Sequence, residues 1–171
     1  LKGKPASVAI LSAIADNTST RLKWLVTGEG MPSAEWEKTT ALISRLAIPA
    51  AGQARELQPT GRHMLFATEL LEDLGVNVDD AGVISVPDSD MSPVINFADD
   101  VLIQLNQQRL FPGALYLIET DSGATIRRAF TADGGATWIL VAERKSANQI
   151  PISDKSPFRI FGRVRWIGHK L

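Results

Sequence analysis

The sequence predicts an α+β protein, with a small all-α N-terminal part followed by a mostly antiparallel β-domain. Three observations lead there. Apolar residues recur at helical spacing over the first 46 residues and again near residue 70. From Gly82 onward, short β-branched and aromatic runs alternate with Gly, Asp and Pro turns. Finally, 171 residues that are 44% hydrophobic suffice for one domain with a small appendage and are too apolar for a disordered chain. Helices followed by strands, rather than alternating with them, point to segregated layers.

Leu1-Lys2-Gly3-Lys4-Pro5 reads as the end of one helix, a glycine turn, and proline in the first turn of the next. Val8, Leu11, Ile14 and Ala15 then recur at helical spacing. Asp16-Asn17-Thr18-Ser19 breaks that helix and offers caps for another, with Leu22 and Leu25 inward and Trp24 nearby. Thr27-Gly28-Glu29-Gly30 ends it. The run KWLVTGEGMP (residues 23–32) resembles the closing helix of helix-turn-helix domains in phage repressors, where a Trp-Leu-x-x-Gly-Glu-Gly string is common. The resemblance implies that residues 1–31 are the last helices of a DNA-binding domain whose recognition helix precedes Leu1. A chain starting at leucine fits a fragment of a longer protein. Any small helical pair with glycine caps is the alternative.

Residues 32–60 read as a helix and a linker. Ser33 to Leu46 carries Trp36, Leu42, Ile43 and Leu46 at apolar positions, with the β-branched pair Thr39-Thr40 against it. Small residues and a proline in Ile48-Pro49-Ala50-Ala51-Gly52-Gln53-Ala54 mark the linker. Phe66 to Leu74 is a short amphipathic helix stopped at Gly75, with Leu70, Leu71 and Leu74 on one side. Strands are expected at Gly82–Val86, Val101–Leu105, Gly113–Glu119, Thr125–Phe130, Thr137–Ala142 and Phe158–Ile167.

The stretch from Ile84 to Ile103 organises this half. Val86-Pro87-Asp88-Ser89-Asp90-Met91-Ser92-Pro93 is followed by Ala98-Asp99-Asp100-Val101. It resembles the nucleophile segment of the LexA-like self-cleaving repressors, the S24 peptidase group, which runs Val-x-Gly-Asp-Ser-Met-x-Pro and then Gly-Asp-x-Val. Gly113-Ala114-Leu115-Tyr116 and the closing Gly162-Arg163-Val164 stand where that family has similar strand starts, so the resemblance spans residues 48–171 in order. It implies a LexA/signal-peptidase-like β dimerisation domain at 61–171. Aligned on Met91, Pro93, Asp99 and Val101, the nucleophilic serine falls on Asp90. The family's lysine base falls on Arg127, 37 residues on, within Ile126-Arg127-Arg128.

The family's chemistry needs a hydroxyl and a neutral amine in hydrogen-bonding reach. A carboxylate is a poor nucleophile toward an amide, and guanidinium stays protonated at any accessible pH. Asp90 and Arg127 therefore read as a degenerate dyad of opposite charges, able to form an ion pair with a bidentate fork. No catalytic residue is assigned and the domain is expected not to be an enzyme. Ser89 and Ser92 flank the position, but Met91 and Pro93 hold the register against a slip. Asp99 and Asp100 are read as turn residues rather than paired catalytic acids. In the family an Ala-Gly bond in such a linker is the one cut, and Ala51-Gly52 matches it in type and rough position. The competing reading is therefore an active autopeptidase cutting at Ala51-Gly52.

Charge narrows the partners. Net charge is −1, with +2 over residues 1–60 and −3 over 61–171. From Glu69 to Asp100 there are nine acids and no base, a surface that repels phosphate. Operator DNA would thus be met through the N-terminal part alone. No cysteine excludes disulfides and thiolate metal sites, and His63 and His169 are too few for a metal centre, so no cofactor is expected. With no signal peptide or membrane-length apolar run, a cytoplasmic protein without membrane contact is expected. Alternation along the last strand places Phe161, Arg163 and Ile167 on one face, taken as the dimer interface, opposite Ile160, Val164 and Trp166. The function these readings imply is that of a phage-type repressor forming a homodimer or higher oligomer. With self-cleavage closed, its release falls to an antirepressor protein. A plain β-rich interaction domain, unrelated to DNA, is the third reading.

Overall fold

A computed structural model describes residues 7–49, 56–132, 137–145, 147, 149–152 and 159–170. Two short helices open it, α1 (Val8–Thr18) and α2 (Leu22–Thr27). Ser7 starts α1 by accepting the Ile10 N–H at 3.4 Å. Ser19 ends it in the left-handed region, at φ 54°, and Gly28 ends α2 at φ 71°. These helices bury little: Ala15 alone is fully covered, while Val8, Ile10 and Val26 are exposed.

Next come α3 (Ala34–Thr39), β1 (Thr40–Ala47), β2 (Gln58–Ala67), α4 (Thr68–Asp73), a 3-10 turn (Val78–Asp80) and β3 (Ala81–Ser85). After a turn-rich loop follow β4 (Asp100–Gln104), β5 (Leu115–Thr120), β6 (Gly123–Ala132), β7 (Thr137–Val141), β8 (Ile150–Ile152) and β9 (Arg159–Gly168). The described strands form one sheet in the order β2-β1-β3-β4-β9-β5-β6-β7-β8. All neighbours are antiparallel except β1 and β3, whose parallel pairing is registered at Arg45↔Val83. This is the α+β architecture expected, with a large, mostly antiparallel sheet.

The helix expected over 33–46 is corrected: it stops at Thr39. Thr39-Thr40 disfavours a helix, and beyond it burial alternates with period two, Ala41 and Ile43 in and Leu42 out. The helix expected from Phe66 begins at Thr68, because Phe66 is buried at the end of β2. Pro59 and Gly61 hid β2 from sequence reasoning. An edge strand tolerates both, and β2 is an edge.

The closing strand needs a larger correction. β9 pairs Leu117 with Gly162 but Ile118 with Ile160, leaving Phe161 as an extra residue. It pairs Ile103 with Val164 but Leu102 with Trp166, leaving Arg165 extra. Two bulges thus break the alternation on which the face assignment rested. Phe161 and Val164 both join the core of Ile84, Met91, Ile95, Val101 and Leu117, and Ile167 packs against it. Arg163 pairs with Tyr116, whose ring lies in a different cluster with Ile118, Ala129 and Leu140. Phe161, Arg163 and Ile167 therefore do not share one face. Gly162 sits where a Cβ would run into the Gln104 carbonyl.

Candidate functional site

Asp90 lies in the loop between β3 and β4, and Arg127 in the middle of β6. The loop is aimed by its apolar residues: Met91 and Ile95 are essentially inaccessible, each contributing about 1.5–3 kcal/mol. The Ile95 N–H donates to the Met91 carbonyl at 3.0 Å, closing the turn between them. The Asp90 N–H donates to the Asp88 carboxylate at 2.9 Å. From the far side of the cleft, the Arg144 N–H donates to the Asp90 carbonyl, also at 2.9 Å. Asp90 is thus held by backbone contacts from two loops.

Arg127 Nη2 donates to Asp90 Oδ2 at 2.6 Å, with the two side chains 7% and 30% exposed. The structure brings Asp90 and Arg127 together as an ion pair. The contact is single-point rather than the bidentate fork expected. Nη1 is drawn to the Thr125 hydroxyl and the Ile126 carbonyl, and Nε is buried without a partner. The guanidinium is turned along its own strand, so only one amino group faces the carboxylate.

The pair sits in the wall of a cleft of ≈ 680 Å³. Asp88, Asp121, Ser122 and Arg144 also line it, and neither lysine nor histidine does among the described residues. Ser92 Oγ donates to Asn96 within its own loop at 3.0 Å. Among the described residues the lining supplies three carboxylates and two guanidinium groups, and no amine to accept a proton. Ala51 and Gly52 lie outside the described residues.

Sequence reasoning missed a second constellation at the base of this loop. Arg45 grips Asp100 with both amino groups, at 3.0 and 2.6 Å, and Lys170 Nζ adds a third contact at 3.0 Å. The Arg45 hydrogen bonds are the main reason the Asp100 carboxyl is held below its ordinary range, against burial. Asp99, 2% exposed, is pushed up by burial. The Asn96 and Lys170 N–H groups and His169 Nδ1 at 2.7 Å outweigh that, leaving it lowered. Asp99 thus closes a turn, and Asp100 ties β4 to β1 and the C-terminal residues. Only the Asp-Asp doublet signalled these contacts. Arg45 is 55 residues away and carried no signal of its own. His63 is exposed and makes no described side-chain hydrogen bond; His169 is exposed over one face while its other side meets Asp99.

Residues 42–165 match the Peptidase S24-like family. An HTH-type transcriptional regulator of Haemophilus influenzae, itself uncharacterized, is 26% identical over 191 residues, covering 94% of this chain and 78% of that protein. Repressor protein CI of Enterobacteria phage phi80 is 24% identical over 181 residues, covering 90% and 76% respectively.

Proposed function

The chain belongs to the Peptidase S24-like family, and from that premise we propose that it is a transcriptional repressor whose β-domain joins subunits without cutting the chain. The observation that carries this is the Arg127–Asp90 contact at 2.6 Å in place of a hydroxyl–amine pair. Self-cleavage needs an oxygen nucleophile whose proton an amine can take. A paired carboxylate and guanidinium offer neither. The similarity to a phage repressor and to an HTH-type regulator supports the role in transcription.

In this reading residues 1–31 belong to a helix-turn-helix domain, 32–60 connect it, and 61–171 dimerise. The connecting segment contributes β1 to the sheet. Dimerisation sets two DNA-binding domains against two operator half-sites. Release comes from a noncovalent antirepressor protein in the cytoplasm, because the proteolytic route is closed. Among the described residues no helix is long and apolar enough to cross a membrane.

The test is mass measurement of the protein after incubation with activated recombinase and, separately, at alkaline pH. The mass should stay that of the intact chain in both. A fragment ending at Ala51 would establish instead that the cleft still cuts.

A further inference from the structure

The loop 105–113 folds back over the end of β5, where the Tyr116 hydroxyl donates to the Arg109 carbonyl and accepts the Phe111 N–H, both at 2.9 Å. That fold sets two guanidinium groups against one ring. Arg109 lies 5.5 Å and Arg163 5.0 Å from the Phe111 centroid. Arg165, the bulge residue of β9, is close by. Burial and then the Arg163 charge lower its affinity for its proton. Like charges gathered this way repel unless something anionic faces them. Among the described residues none of the three forms an ion pair.

Beside this patch runs one of opposite sign. α4 and the following 3-10 turn carry Glu72, Asp73 and Asp79, all exposed. None of these pairs with a base among the described residues either. The two patches touch at their seam. Arg165 donates to the Leu74 carbonyl at the end of α4. Asn106, on the basic loop, donates to Asp80 at 2.5 Å. Exposed Val78 stands within the acidic ridge and half-buried Phe111 within the basic patch, an apolar element on each side. Cations and anions thus lie side by side on one surface, and their side chains do not neutralise one another within the chain. Such a surface is complementary to itself after a twofold rotation.

We propose that two copies of this chain meet here about a twofold axis, with Arg109, Arg163 and Arg165 of one facing Glu72, Asp73 and Asp79 of the other. This rests on the dimerisation proposed above and assigns it a surface. Of the interface expected from sequence, Arg163 is kept, while Phe161 lies in the core and Ile167, partly buried, packs against it. Because the contacts are ionic at the rim of two small apolar elements, association weakens as salt rises.

Complementary charge reversal on the full chain tests this by analytical ultracentrifugation, with circular dichroism to establish folding. Arg109→Glu with Arg163→Glu reverses two of the three arginines in one variant; Glu72→Lys with Asp73→Lys reverses two of the three acids in the other. Each alone should dimerise at least about tenfold more weakly than the native chain, and an equimolar mixture should recover the loss as a heterodimer. Should a variant misfold, the salt dependence of the native dimer decides instead: weakening with salt supports the surface, and a salt-insensitive dimer overturns it. A native dimer unaffected by both reversals, or a mixture no tighter than its parts, also overturns it and leaves dimerisation standing. A native chain that stays monomeric overturns the dimerisation itself. If the arginine reversal weakens binding to duplex DNA and leaves sedimentation unchanged, the patch is a phosphate contact and the proposal fails.

Discussion

At the scale of single residues, the Arg127–Asp90 pair is asymmetric. Arg127 is buried and Asp90 is partly open to water, so deleting the arginine strands the less costly charge. Arg127→Met should therefore destabilise by about 3 kcal/mol, the low end for breaking a buried pair, and chemical denaturation measures it. Asp90→Asn leaves the guanidinium buried with a neutral partner and should cost no less. A smaller loss in that variant would mean that Thr125 and Ile126 already satisfy Arg127. Asp100 makes a pH prediction. Its folded-state affinity for a proton is lowered, first by Arg45, so its stabilising contribution is fully present above the ordinary Asp range near pH 4. That contribution drains as pH falls through the lowered value. Asp100→Asn should flatten the acid limb of a stability-against-pH curve and lower the neutral plateau. An acid limb identical to that of the native chain would show that Arg45 and Lys170 do not provide this coupling.

At the scale of elements, β9 explains why periodicity arguments misled. An ideal strand would place Phe161 and Val164 on opposite faces, and the bulge at Phe161 brings them into one core. Phe161→Glu would thus bury a charge and unfold the domain, whereas an interface residue would yield folded monomers. Phe161→Ala should cost about 3–5 kcal/mol by thermal or urea unfolding, with the association constant of the folded fraction unchanged. The hairpin β1–β2 carries a similar lesson. Leu42 and Ile43 fit a helix or a strand equally well in isolation. As a strand, β1 pairs along β2 and meets β3 at Arg45↔Val83, and Arg45 fastens that junction to Asp100. Arg45→Met should loosen that junction, seen as faster amide exchange across β1 and β3 than across β5 and β6.

At the scale of the whole molecule, the proposed function, a repressor that does not cut itself, requires another route of release. A noncovalent partner must prefer the DNA-free form; about 5.5 kcal/mol of preference moves the population from 1:99 to 99:1. DNA damage should leave the amount of intact chain in cells unchanged, as quantified by immunoblot. Loss of the intact band with appearance of a fragment ending at Ala51 would show that damage acts through the protease and that no antirepressor is required.

The sequence by itself determined what depends on residue type and on order along the chain. Met91, Pro93 and the 37-residue spacing singled out Asp90 and Arg127 as the two positions to compare. Their side-chain types alone supply a carboxylate and a guanidinium, from which the proposed loss of self-cleavage is argued. The turn-punctuated strands from residue 82 onward were legible because local alternation and glycine turns act within a few residues. Tertiary structure decided everything that depends on which distant segments meet. Arg127 meets Asp90 through one amino group because Thr125 and Ile126 compete for the other. Arg45 finds Asp100 because β1 joins β3, a parallel pairing no local pattern announces. Bulges are set by the partner strands' registers, so the two faces of β9 exist only once β4 and β5 flank it. Side-chain period is a property of one strand, while burial is a property of the strands and helices packed around it.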